Sequence, residues 1–149
     1  VRAARLTRTC WIASSPSKRI FMRFTTVEGR KTMDALKKQR LTAAGIDLDG
    51  ALERFMGNEA LLERFLKRFL QDENEALLSA ALTGGDLESA LTASHTLKGV
   101  CGNLSMTALF DLFSRQVTAL RAGDVALAAG MMAEICPALE KVRKAIREL

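Results

Sequence analysis

The 149-residue chain has one histidine, His95, in the stretch Ala93-Ser94-His95-Thr96-Leu97-Lys98-Gly99-Val100-Cys101-Gly102-Asn103-Leu104. On an α-helix, residues three, four and seven apart share a face. Lys98, Gly99 and Gly102 therefore line up with His95. A neutral imidazole is a nucleophile near neutral pH. A lysine one turn away stabilises a negative phosphoryl group once it arrives. Glycine inside a helix costs roughly 1 kcal/mol against alanine, so two on one face point to a need for bare surface beside the imidazole. Phosphoryl transfer rewards in-line access and charge stabilisation over covalent machinery. This set would suffice for a phosphoryl carrier whose partner brings metal and acid. The competing reading is structural: a lone helical histidine is more often a surface or core-edge residue, Lys98 a solvated side chain and each glycine a close helix contact. The conjunction weighs more than any member.

Inventory removes other chemistries. The chain has no GxxxxGK[ST] phosphate loop and no kinase glycine loop, so no ATP site and no autonomous kinase activity are expected. One histidine rules out a His-rich metal site, and a diiron bundle would need Glu-x-x-His pairs that are absent. Cys10, Cys101 and Cys136 are odd in number and widely spaced, which fits a reducing, cytoplasmic setting better than a disulfide framework or zinc site. No apolar run approaches the roughly 18–20 residues needed to span a bilayer, and no membrane association is expected.

Charge divides the chain. Residues 1–40 hold eleven Lys or Arg against Glu28 and Asp34, a net +9, while residues 41–149 hold eleven basic and fifteen acidic residues, a net −4. The overall +5 thus belongs to the first segment, and the remainder has no phosphate-backbone footprint, so no nucleic-acid partner is expected. Residues 1–40 show no helical apolar stripe before 33–41 and read as a basic, disordered tail or linker. Alternatives are a transit-like leader or sequence upstream of a start at Met22 or Met33. The segment lacks the apolar run of a secretory signal.

Residues 41–149 read as helix throughout. A short helix over about Leu48–Phe55 ends at Gly57, and Asn58 can cap the next. That one carries Leu62, Phe65, Leu66, Phe69 and Leu70 as a core-facing stripe. Its polar stretch 71–75 interrupts the pattern before Ala76–Leu82. Gly84-Gly85 turns the chain and Asp86 caps a third helix, whose seam is Leu87, Ala90, Ser94, Leu97, Cys101 and Leu104. His95 sits about 100° from that seam, partly exposed. A fourth helix over Thr107–Ala122 buries Leu109, Leu112, Phe113 and Leu120. Gly123-Asp124 leads into the last, with its seam at Ala128, Met132, Ile135, Leu139, Val142, Ile146 and Leu149 and a kink near Pro137. Short connections make neighbours antiparallel. The expected fold is all-α: an antiparallel up-down-up-down four-helix bundle with a short extra N-terminal helix.

The stretch His95-Thr96-Leu97-Lys98-Gly99, followed by Asn103-Leu104, resembles the signature of histidine-containing phosphotransfer (HPt) domains. The resemblance extends over residues 45–149. It takes in the Ile46-Asp47 lead-in, Gly57-Asn58, the Gly-Asp turn before the histidine helix and Arg121-Ala122-Gly123-Asp124. It implies a phosphorelay intermediate of two-component signalling. His95 would accept a phosphoryl group from a receiver-domain aspartate and pass it to another receiver, Lys98 would steady the phosphohistidine and Gly99 would keep the docking surface open. Gly102 belongs to the same docking face, and Gln116 is a further candidate there. The implied partners are response-regulator receiver domains and a hybrid sensor kinase. Mg²⁺ would reside on the receiver, leaving this chain no cofactor of its own. Two departures stand out: Ser105 replaces a common glycine, and Gln116-Val117 replaces a common Leu-Glu or similar pair. Two rivals remain at this level, an HPt-like bundle that docks receivers or other helices without turnover, and a basic-tailed nucleic-acid adaptor.

Overall fold

The computed structural model describes residues 33–149; the basic segment up to residue 32, and the expectation of disorder placed on it, lie outside the described residues. The helices are α1 (Ala35–Ala43), α2 (Leu48–Arg54), α3 (Glu59–Phe69), α4 (Asn74–Gly84), α5 (Leu87–Asn103), α6 (Thr107–Arg121), α7 (Val125–Gly130) and α8 (Met132–Arg147). Among the described residues there is no strand, only an isolated antiparallel bridge between Ile46 and Met106. The architecture is an all-α helical bundle.

Local sequence explains most boundaries. Asp47, Asn58, Asp86 and Asp124 each accept the backbone N–H three residues on, from Gly50 (3.2 Å), Leu61 (3.0 Å), Ser89 (3.1 Å) and Leu127 (2.9 Å). These side chains satisfy donors that a helix start leaves unpaired. Gly85 (φ +70°) and Gly123 (φ +78°) take the left-handed turns that lead the chain out of α4 and α6. The α3/α4 interruption spans residues 70–73, overlapping the start of the polar stretch 71–75. Joined across this break and the one at Met131, the described residues form six helical segments.

Three expectations change. The boundary after residue 40 falls inside α1, which packs against α8 and α2. Met33 and Leu41 are buried in the core. The Lys38 ammonium lies 2.5 Å from Glu59 and the Met33 N–H also donates to that carboxylate, holding its pKa below the usual range. With α1 present, the chain is more than four helices and one extra. Second, the expected last helix is two: it is interrupted at Met131, just after helix-weakening Gly130, and α8 carries Pro137 within it. Third, Phe65 is 44% exposed rather than core. The buried stripe of α3 is Leu62, Leu66 and Phe69, and Phe65 leans on Phe55 at 5.3 Å between ring centroids.

The core runs along α5, which packs between α4 and α6. Leu97, on its inner face, is fully buried, while Leu61 on α3 is 36% exposed. Leu97→Ala should lower the unfolding free energy by about 2–5 kcal/mol, and Leu61→Ala by much less. Urea unfolding of both variants checks this; equal losses would contradict the assignment of α5 as the central helix.

Candidate functional site

The rotation of α5 is set from below. Its inner face consists of Ala90, Ala93, Ser94, Leu97 and Cys101. Ser94 and Gln116 are both fully buried, and the Ser94 hydroxyl donates to Gln116 Oε1 at 2.8 Å. Gln116 Nε2 donates to the Ala128 carbonyl at 2.9 Å and approaches Met132 Sδ at 3.3 Å. One side chain on α6 thereby links α5 to α7 and α8. With Ser94 held inward, the next residue, about 100° further round, points out: His95 is exposed.

Beside His95, Gly99 is exposed, and a Cβ built there would meet nothing within 4 Å. Lys98 is partly buried, with its Nζ 5.4 Å from the centroid of the Phe110 ring. The structure thus brings His95, Lys98 and Gly99 together on the accessible side of α5. Rigid helical support and an open approach are what a surface nucleophile for a protein-bound donor needs.

Two docking candidates have other roles. A Cβ at Gly102 would come within 3.2 Å of Phe110 Cδ2 and Cε2, and its carbonyl accepts from Arg54 Nη1. Gly102 is therefore a close-packing position between α5 and α6, not open surface. Gln116 has no exposed surface to offer a partner. Its hydrogen bonds go to Ser94 and Ala128, so it acts on the helix that carries His95 rather than on a docking protein. Ser105, where a glycine was expected, has φ +53° and a buried hydroxyl without a hydrogen-bond partner. The left-handed backbone accounts for the preference for glycine there.

Sequence reasoning missed Phe110 and Arg54. Phe110 lies one residue off the buried stripe of α6, and Arg54 ends α2, so neither carried a periodic signal. Along the other flank of α5 runs a cleft of about 480 Å³, lined by Arg54, Phe55, Phe65, Arg68, Phe69 and Val100 among others. The other potential nucleophile on α5, Cys101, is buried, and burial pushes its thiol up to about 12, which leaves it unreactive. Among the described residues no cluster of His, Cys, Asp and Glu is placed to hold a metal ion, and no helix is long and apolar enough to cross a membrane.

The family model described as the Hpt domain matches residues 61–147. No curated protein and no solved structure matches the chain.

The two glycines beside His95 should respond differently to alanine. Gly99→Ala, in open space, should stabilise the fold by about 1 kcal/mol. Gly102→Ala should stabilise less or destabilise, because the Phe110 ring must move. Thermal unfolding of the two variants checks this, and identical shifts would remove the distinction.

Proposed function

Because the chain belongs to the Hpt-domain family, whose role is histidine phosphotransfer in a phosphorelay, we propose that His95 is its phosphoacceptor. The observation that carries this reading is the exposed imidazole beside an unobstructed Gly99, on a helix whose opposite face is locked in the core. A ring nitrogen of His95 attacks the phosphorus of a receiver's aspartyl phosphate. The new N–P bond forms as the P–O bond breaks, and the aspartate leaves as a carboxylate. The reverse step, onto a second receiver, returns the lone pair to the ring. The receiver's Mg²⁺ supplies charge neutralisation in its own pocket. This chain contributes the nucleophile, the Lys98 ammonium to offset the phosphoryl charge and the space over Gly99.

Family membership implies receiver domains and sensor kinases as the partner classes. Response-regulator receivers, served by a hybrid kinase in the cytoplasm, are the partners proposed here. Phe65, exposed at the rim of the cleft that runs along the C-terminal end of α5, gives such a partner apolar surface to bury. The carrier is read as four long segments, residues 59–84, 87–103, 107–121 and 125–147, running up-down-up-down with α1 and α2 added before them. The phosphotransfer unit is taken as residues 33–149, with the basic segment before it as a tail.

Mixing the protein with phosphorylated receivers tests the assignment. Acid-labile, alkali-stable label should appear on the wild type and vanish in His95→Gln with the helical spectrum unchanged. Lys98→Ala should shorten the phosphohistidine lifetime or slow transfer without abolishing it, by an amount in line with a partly screened charge, about 1 kcal/mol or less. Label that survives His95→Gln, or is acid-stable on Ser or Thr, sinks the assignment. Receivers that bind without ever passing label would make the chain a docking module instead.

A further inference from the structure

We propose that Phe110 is a positioning residue for Lys98: its ring holds the lysine ammonium on the His95 face, and Gly102 is bare so that the ring can lie against α5. The inference rests on the assignment of His95 as phosphoacceptor and Lys98 as its charge partner.

Three observations converge. Lys98 Nζ stands 5.4 Å from the Phe110 ring centroid, inside the range in which a cation is attracted to an aromatic face. Among the described residues Lys98 has no ion-pair partner, so the ring is the group that orients its charge. And a Cβ at Gly102 would stand 3.2 Å from two atoms of that ring, so the ring's seat depends on glycine one turn beyond Lys98. Core packing does not account for Phe110: it is 37% exposed, while its neighbours on the stripe, Leu109 and Phe113, are buried.

The chemistry gives this arrangement a use. A lysine is a compact charge on a flexible four-carbon stem, and on an open helix face it would spread over many solvent-exposed rotamers. Resting on the ring, it stays on the face where the phosphoryl group arrives, and less order has to be imposed at the moment of transfer. A leucine at position 110 would fill similar space without attracting the cation. A tyrosine would keep the attraction.

The test replaces Phe110 with a series of increasingly fluorinated phenylalanines, which weaken the ring's attraction for a cation with little change of shape. Phe110→Leu, Phe110→Tyr and Lys98→Ala run in parallel in the full chain, each checked for intact folding by thermal unfolding. Phosphohistidine lifetime and receiver-dependent transfer rate are read for each. The expected result is a stepwise loss along the series, reaching about two- to five-fold at full fluorination and in Phe110→Leu, with Phe110→Tyr close to wild type. The loss should disappear when Lys98 is already alanine. If lifetime and rate stay constant or increase along the series while Lys98→Ala reduces them, the positioning role is wrong and the assignment of Lys98 survives. A loss that persists in the Lys98→Ala background makes Phe110 merely structural and also overturns the proposal. A wild-type chain that takes no label on His95 overturns both.

Discussion

The buried hydrogen bond from Ser94 to Gln116 fixes how the helix that carries His95 presents itself. Gln116 sits in an apolar interior, where an amide is tolerated only if its hydrogen bonds are made. It accepts from Ser94 and donates to the Ala128 carbonyl, so its oxygen and nitrogen bind two different elements. Turning α5 by one residue would withdraw the Ser94 hydroxyl, leave the amide oxygen unpaired and push the His95 imidazole into the core. Apolar contacts alone discriminate weakly between such rotations on a helix rich in alanine and glycine. The polar pair makes the choice specific.

From that constraint the surface chemistry follows in order. The inner stripe of α5 is committed to α4 and α6, which leaves one face free for a partner. On the function proposed, the side chains of that face do separate jobs: His95 offers the nitrogen, Gly99 leaves space and Lys98 offers charge. Gly102, on the same face one turn further, serves the neighbouring helix by admitting Phe110. The same residue type thus opens the surface at one position and closes an interhelical contact at the next. On the function proposed, such a carrier needs no deep pocket, because its partner would enclose the reacting group.

Much of this was legible in the sequence because the signals were local. Asn58, Asp86 and Asp124 announce helix starts through short-range capping, and Gly85 and Gly123 mark turns that need a left-handed backbone. The relation among His95, Lys98 and Gly99 is intrahelical and so follows from spacing alone. Elsewhere the deciding partner lies far along the chain. Gly102 reads as open surface until Phe110 is placed beside it. Gln116 reads as a surface amide, although its spacing from Phe113 and Leu120 puts it on the buried stripe, and only Ser94 across the interface explains a polar residue there. Helix α1 is mostly polar, with Leu41 its one buried residue, so its apolar signal is faint. Its place in the fold comes from ties to Glu59 and to the end of α8, where Lys37 Nζ donates to the Leu149 carbonyl.

The central claim is that the group carried by this protein sits on the imidazole of His95 and nowhere else. Phosphorus NMR of the intact protein, recorded at neutral pH after mixing with a phosphorylated receiver, tests it most directly. The account predicts one protein-bound resonance in the phosphohistidine range, lost on acidification and absent from His95→Gln. A protein-bound resonance in the phosphoserine or phosphothreonine range, or no protein-bound resonance with any receiver of a broad panel, would contradict it.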